Sequence, residues 1–494
     1  MLTVCLPSSQ KLLKEFLSHL QFVEKIITVG EQEDSSTGEF VEGRSLFDGS
    51  TLQQCIERTT TPYLLLVLSQ DQISTSAHAL TRMLDVASDI RAGIVYGDYH
   101  DVIGSNWIEH PCNDYQDGSV RDTFDFGPFT LVRMEAAHGA LRKYGAIPPT
   151  RWAGFYDLRL KISIDHAIFH LQEFLSSKTK RENRTSGERQ FDYVDPSNSA
   201  VQKEMEEIFT DHLKRIGAYL PPVFQEPLRT DEQFPVKASV VIPVRNRKNV
   251  IADALESVVS QIPTFPFNCL VVDNHSTDGT GEVIERFAEK SPIVHHIIPE
   301  RTNLGIGGCW NEAIFSPLCG AFAVQLDSDD LYASPNTLQR IVDELELGYA
   351  MVIGAYTVVN KNLQPIPPGI VNHNEWTPEN GRNNALRING LGAPRAFRTS
   401  CLRQIGGFPN VSYGEDYAVA LRISRQYQIG RIFDSLYLCR RWEGNSDAAL
   451  PIELENKHNA YKDQLRTIEL AARKEVIRQQ FDDKKSNKAE NALH

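Results

Sequence analysis

The chain has 494 residues, enough for two to four domains at about 100–200 residues each, and its 41% hydrophobic and 23% charged residues are those of ordinary soluble globular proteins. Net charge is −13, from 51 basic and 64 acidic residues, which argues against nucleic acid as the main partner because phosphate neutralisation calls for a basic face. The eight cysteines are scattered and form no CxxC pair, which speaks against a structural zinc site or a disulfide framework and for buried, reduced thiols.

In chain order, Met1–Pro7 lacks the basic segment of a secretory leader. The runs YLLLVL (63–68) and MVIGA (351–355) are strand-length, too short to span a bilayer. The expectation is a cytoplasmic protein with no transmembrane segment, open to peripheral contact with a membrane surface. LTVCLP (2–7) and KIITVG (25–30) read as strands around an amphipathic KLLKEFLSHLQF (11–22). KTKRENRTSGERQ (178–190) reads as an exposed linker and residues 199–220 as a helix. PPVFQEPLRTDEQFPVK (221–237) reads as a second linker.

From residue 238 the rhythm sharpens. ASVVIPV (238–244), CLVVD (269–273), VHHIIPE (294–300) and AFAVQL (321–326) are strand-like, with helical patterns at 250–262, 280–290 and 310–318 between them. This alternation predicts an α/β fold with a mainly parallel sheet. Ligands of such sheets sit beyond the carboxyl ends of the strands, so Asn246, Asp273, Asp327 and Asp329 are expected in one cleft. Beyond Leu450 a helix runs into a polar tail.

The first half repeats this rhythm more faintly. Laying residues 63–85 over 321–343 gives six identities, including Leu68/Leu326 and Asp71/Asp329, which suggests a duplicated fold.

The acidic run LDSDD (326–330) follows an apolar strand. Carboxylates at i and i+2 can converge on one hard cation, leaving its other positions to diphosphate oxygens and water; an Asx-type turn capping a helix at 335–346 is the other reading. Around it, VVIPVRNRKNVIADALESVVSQ (240–261), LVVDNHSTDGT (270–280), NLGIGGCWNEAI (303–314), IGGF…GED (405–416) and GNS (444–446) resemble, in order and spacing, family 2 glycosyltransferases of the GT-A fold. The resemblance covers roughly residues 238–447 and implies two GT-A-like, Rossmann-like domains in tandem plus a C-terminal helical segment. The expected divisions are a degenerate domain at 1–175, a charged linker and helix at 176–235, a catalytic domain at 236–450, and a helix with polar tail at 451–494.

By that resemblance, Pro243 and Asn246 frame a bound nucleotide, Asp273 contacts its base or ribose, and Asn303 and Gly305 line its side of the cleft. Asp327 and Asp329 stand at DxD positions for Mn²⁺ or Mg²⁺, with Asp329 the more direct ligand, and Asp416 matches the general base of inverting members. A positioned carboxylate suits that task, since a sugar hydroxyl attacks poorly until its proton is taken; capping of the helix after it is the structural alternative. Arg440 and Arg441 read either as diphosphate contacts or as surface charges. Trp310 and Trp442 depart from common family residues and read either as stacking platforms or as packing. His295–His296 lies in a strand-like run and gives no metal site.

The function expected is metal-dependent, inverting transfer from a nucleotide-sugar (UDP-, GDP- or dTDP-linked) to a glycan or glycoconjugate hydroxyl, in polysaccharide assembly. The alternatives are a two-site polymerase and a non-catalytic carbohydrate- or partner-binding scaffold. In the first half, Gly30 and Ser69 stand where Asp273 and Asp327 are expected, and Asp157 is laid opposite Asp416.

Overall fold

A computed structural model of the chain describes residues 1–32, 39–179, 198–227, 232–442 and 450–491, with side chains through residue 480 and at 482. The GNS run at 444–446 and most of the 178–190 linker lie outside the described residues. The chain divides into two compact units, residues 1–189, 196–219 and 449–494 in the first and 190–195 and 220–448 in the second.

In the first unit the strands are β1 (Leu2–Pro7), β2 (Val23–Gly30), β3 (Glu39–Glu42), β4 (Tyr63–Val67), β5 (Ile73–Thr75), β6 (Ile94–Ile103), β7 (Asn106–His110), β8 (Phe129–Arg133) and β9 (Ile168–Thr179). They form one sheet in the order β3-β2-β1-β4-β8-β6-β9-β5, with β7 on β6. The four strands β3, β2, β1 and β4 are parallel, and β8 runs antiparallel between β4 and β6. All six residues of β1 are buried. Leu2, Val4 and Leu6 pack with Leu13, Leu17 and Leu80 on one face, while Cys5 packs with Ile27, Leu52 and Leu158 on the other. Helices on both faces explain why the strand reads as one apolar run and not as an alternation.

The second unit contains β10 (Ala238–Val244), β11 (Phe267–Asp273), β12 (Val294–Ile297), β13 (Phe322–Gln325), β14 (Leu331–Tyr332), β15 (Met351–Asn360), β16 (Pro365–Val371), β17 (Arg395–Arg398) and β18 (Ile429–Arg441). Its sheet order is β12-β11-β10-β13-β17-β15-β18-β14, with β16 on β15. Adding nine to every strand number of the first sheet gives the second, so the duplication is one of topology as well as rhythm.

The ladders align the two units residue by residue. Arg133 and Arg398 each precede the helix that follows their strand, and they pair with Tyr63 and Phe322 respectively. Tyr63 pairs with Leu2, and Phe322 with Ala238. Pro7 therefore stands at Pro243, and Gly30 at Asp273. The same register corrects the sequence alignment by one position: Val67 stands at Leu326, so Leu68, not Ser69, occupies the place of Asp327. The connection that follows is two residues longer in the first unit, 75 − 67 = 8 against 332 − 326 = 6. Asp71 is thereby no counterpart of Asp329.

All eight cysteines are free, and all but the half-buried Cys439 are buried. Among the described residues no helix is long and apolar enough to cross a membrane.

The C-terminal helix Ile452–Asn491 packs within the first unit on the segment 111–119. Thr467 Oγ1 accepts from the Gly118 amide (2.8 Å), and Ser119 Oγ donates to Asp463 (2.9 Å). A Cβ on Gly118 would lie 2.0 Å from the Asp463 carbonyl oxygen, a backbone atom that cannot rotate away. Gly118→Ala is expected to destabilise the first unit by about 1–3 kcal/mol, the usual range for overpacking, and to speed proteolysis within 452–491. Unchanged urea midpoint and cleavage rate would contradict this docking.

Candidate active site

The carboxyl ends of β10, β11 and β13 lie along one sheet edge, and the residues just past them are tied together. Asn246 follows β10 with φ +55°, a left-handed conformation that asparagine tolerates. Its amide donates to Ser276 Oγ (2.9 Å), and its Oδ1 accepts from the Thr277 amide (2.8 Å). The Arg247 amide donates to Thr280 Oγ1 (2.8 Å). The Asn246 side chain thus stitches the β10 loop to the β11 loop.

Asp273 ends β11 and is 3% exposed. Its Oδ1 accepts from the Ser276 amide (2.9 Å) and its Oδ2 faces His296 Nε2 (3.4 Å). Burial alone would raise this carboxyl; the bonds from His296 and Ser276 outweigh burial and hold it below the usual range. His296 is thus a partner of Asp273, a role that adjacent histidines in a short strand do not signal.

Past β13, Asp327 accepts both oxygens' worth of contact from Gln325 Nε2 (2.9 and 3.0 Å). Asp329 Oδ2 accepts from Trp442 Nε1 (3.3 Å) and faces Arg247 Nε at 3.9 Å. Burial, with the negative charge of Asp327 beside it, pushes the Asp329 carboxyl up. Asp330 is buried, accepts from the Arg440 amide (2.7 Å), and is pushed up by burial and by both neighbouring aspartates. The segment therefore gathers three neighbouring carboxylates, two of them pushed up by burial and by one another. Among the described residues no three His, Cys, Asp or Glu side chains form a closed metal cage. Asp327 and Asp329 fit an open site, in which a divalent cation takes its remaining ligands from a bound molecule and water.

Asp416 lies in the first turn of the helix Glu415–Ser424, whose N-cap is Gly414 at φ +78° without a side-chain cap. Its Oδ1 accepts from the Tyr417 amide (2.7 Å), its Oδ2 is ion-paired with Arg395 Nη1, and the side chain is half-buried. Arg395 Nε and backbone amide both donate to Gln325 Oε1 (2.9 and 3.1 Å). A continuous polar chain therefore runs from Asp416 through Arg395 and Gln325 to Asp327. Neither Arg395 nor Gln325 stands in a motif, and sequence reasoning missed both.

The remaining candidates are placed as follows. Asn303 is exposed, and its carbonyl accepts from Asn410 Nδ2 (3.1 Å). Gly305 and Gly307 let the 409–412 segment pass closely: added Cβ atoms would lie 2.5 Å from the Val411 carbonyl carbon and 2.0 Å from the Pro409 carbonyl oxygen. Pro243 is within β10, paired with Val272. Arg440 is buried and ion-paired with Asp253 (2.9 Å), so it is not a surface charge. Arg441, half-buried, ends β18. Trp310 is core, stacked on Phe408 with centroids 5.0 Å apart.

The first unit keeps Pro7 at Pro243 but carries none of the polar chain at the aligned positions. The turn Thr150 N to Pro148 O (2.7 Å) matches Val411 N to Pro409 O (2.8 Å), and each turn caps a glycine amide, Gly49 or Gly307. Tyr156 and Tyr417 each donate a phenol hydrogen bond to a buried backbone carbonyl, Val120 or Ala385. On this alignment Phe155, not Asp157, stands at Asp416; Asp157 is two residues on, buried and paired with Lys161 (2.5 Å). Leu66 and Thr130, paired across β4 and β8, stand at Gln325 and Arg395. The polar chain of the second unit is replaced by Leu68, Leu66, Thr130 and Phe155.

Comparison with known proteins places the sequence model of Glycosyl transferase family 2 on residues 239–404. The chain is 27% identical over 208 residues to a probable glycosyltransferase, YdaM, of Bacillus subtilis, covering 39% of this chain and 47% of that protein. It is 25% identical over 241 residues to a poly(ribitol-phosphate) beta-glucosyltransferase of Bacillus spizizenii, covering 47% and 37%. The chain thus spans less than half the length of these curated relatives. Solved structures that align include Staphylococcus aureus TarS 1-349 in complex with UDP-GlcNAc (22% identity, 47% of this chain and 70% of that one, TM-score 0.36). A mannosyltransferase of Pyrobaculum calidifontis in complex with GDP-Man and Mn²⁺ also aligns (19% identity, 62% and 92%, TM-score 0.34).

Because folding holds the Asp273 carboxyl below its unfolded value of about 3.9, its stabilisation is present above that pH and is lost as pH falls through the folded value. Wild type is expected to hold a stability advantage over Asp273→Asn at about pH 5 that narrows below about pH 4. Urea unfolding of both across that range checks it; an advantage that persists at the acid end would contradict the assignment.

Proposed function

From the match of the Glycosyl transferase family 2 model to residues 239–404, we propose that the second unit is a member of that family and catalyses metal-dependent, inverting transfer of a sugar from a nucleotide-sugar donor to an acceptor hydroxyl. The observation that carries this reading is the half-buried Asp416 carboxylate, linked through Arg395 and Gln325 to Asp327. That arrangement fixes a base on one side of the cleft relative to a charge-binding site on the other, and fixed geometry is what such a reaction demands.

In this reading Asn246, with Pro243, and Asp273 hold the loops that frame the nucleotide, and Asn303 and Gly305 border it. Asp327 and Asp329 hold Mn²⁺ or Mg²⁺, which when bound offsets charge developing on the nucleotide leaving group. Arg441 and the nearby Arg247 supply cationic contact to the diphosphate. Asp416 accepts the proton of the acceptor hydroxyl as that oxygen attacks. Arg395, ion-paired with that carboxylate, holds it in place. In this reading Asp416 acts as a base and not as a nucleophile, so the acceptor oxygen displaces the nucleotide directly and the transfer inverts.

The rival of two active sites is disfavoured by Gly30, Leu68 and Phe155 at the positions of Asp273, Asp327 and Asp416. The scaffold rival is disfavoured by the joint presence of all four second-unit aspartates. UDP-, GDP- and dTDP-linked donors all remain candidates, with a glycan or glycoconjugate acceptor and a place in polysaccharide assembly.

The test is nucleoside diphosphate release from a panel of these donors, with Mn²⁺ or Mg²⁺ and with EDTA. Release from one donor is expected, abolished by EDTA and by Asp329→Asn, and reduced about 10²- to 10⁴-fold in Asp416→Asn with calorimetric donor binding retained. Neither binding nor release from any donor, or release that ignores EDTA and both substitutions, would overturn the reading.

A further inference from the structure

The first unit lacks the polar chain of the second, yet it holds an open cavity of about 480 Å³ at the corresponding sheet edge. That volume is within the range of about 300–1,000 Å³ typical of ligand sites. Leu68 and Ser69 past β4, Tyr99 and Asp101 of β6, and Lys178 of β9 contribute to the wall. So do two helices without counterpart in the second unit: Met205 comes from Ser199–Arg215, and Glu455, Asn456 and Asn459 from Ile452–Asn491. Chain outside the duplicated sheet has been recruited to build this cavity.

Its chemistry differs from that of a nucleotide site. Five carboxylates line it (Asp71, Asp101, Asp122, Asp125 and Glu455) against Arg121, Arg159 and Lys178. Arg121 and Arg159 are buried and donate to backbone carbonyls of Thr123, Ser119 and Arg121. Arg121 is also ion-paired with Asp463 (3.4 Å), so by formal count carboxylates outnumber cations in the lining, which disfavours a diphosphate. The carboxylates are fixed: His110 bridges Asp101 (2.9 Å) and Asp125 (3.2 Å), lies stacked on Tyr99 with centroids 4.3 Å apart, and Tyr99 in turn donates to Asp125 (3.0 Å). Carboxylates accept hydroxyl protons; on the same wall Asn113 donates to Asn456 Oδ1 (3.4 Å), Asn456 donates to the Pro111 carbonyl (2.5 Å), and Asn459 stands with them. Phe47, 39% exposed, and the half-buried Trp152 add apolar faces, which suit the C–H face of a sugar ring as an amphipathic surface.

We propose that this cavity is a binding site for a neutral glycan segment, separate from the donor site of the second unit. The inference adds a carbohydrate subsite to the glycosyltransferase reading but rests on the cavity's own lining, so its test measures binding and not turnover.

The full chain would be applied to an array of neutral oligosaccharides of glucose, galactose, mannose and N-acetylhexosamines, with uridine and guanosine diphosphates titrated in parallel. Binding to at least one neutral glycan is expected, unaffected by EDTA or by excess of either diphosphate, and weakened about tenfold or more, equivalent to about 1.4 kcal/mol, by Trp152→Ala. Asn459→Ala, a smaller change, should weaken it as well, with thermal melting confirming that both variants fold. Failure to bind any neutral glycan, or glycan binding indifferent to both substitutions, would overturn the proposal. Weakening of nucleotide binding by Trp152→Ala would overturn it too, since the cavity would then be a surviving donor site. None of these outcomes depends on whether nucleoside diphosphate is released.

Discussion

In a parallel ladder, adjacent strands end at the same edge, and that constraint positions everything else in the second unit. With β10, β11 and β13 in register, the loops after Val244, Asp273 and Gln325 have nowhere to go but one shared crest. Asn246 then locks the first two loops together through Ser276 and Thr277. The antiparallel strand β17, inserted beside β13, carries Arg395 to the same crest, within reach of Gln325. Residues 70 positions apart in sequence become one polar chain because two strands pair.

That chain organises an electrostatic division of labour. At one end, Asp327 stands beside Asp329, whose carboxyl is pushed up by burial and by that neighbouring charge. At the other end, Asp416 is paired with a guanidinium and lies in a helix's first turn, where the helix dipole favours an ionised carboxylate. Gly305 and Gly307 admit the 409–412 segment so closely that the helix bearing Asp416 is held against the helix that starts at Ile306. The first unit keeps the scaffold, down to the same proline turn and tyrosine bond, while Leu66, Leu68, Phe155 and the uncharged Thr130 occupy the positions of the polar chain. What it retains is a cavity with a different chemistry, walled partly by the C-terminal helix.

Much of this was legible in the sequence, for a physical reason: strands buried on both faces announce themselves as apolar runs, and topology gathers the residues after them at one sheet edge. Asn246, Asp273, Asp327, Asp329 and Asp416 were all nameable in advance. Gln325 and Arg395 were not, since a polar residue inside a strand has no motif and its partner is set by pairing. Trp310 beside Asn311 was ambiguous because an aromatic that packs in a core looks the same as one that stacks on a ligand. The first unit misled in detail. Matching Asp157 to Asp416 maximised likeness between two helical segments, but side-chain direction turns by about 100° per residue, so a slip of two moves a carboxylate to another face. The docking of Ile452–Asn491 onto 111–119 joins residues about 345 apart, a distance across which local pattern carries no information.

The central claim is that one unit retains a nucleotide site and the other has lost it. Calorimetric titration of the full chain with uridine and guanosine diphosphates, in Mn²⁺, measures this directly through stoichiometry. The account predicts a single site per chain for whichever nucleotide binds, eliminated by EDTA. Two sites per chain, or a single site that survives EDTA, would contradict it.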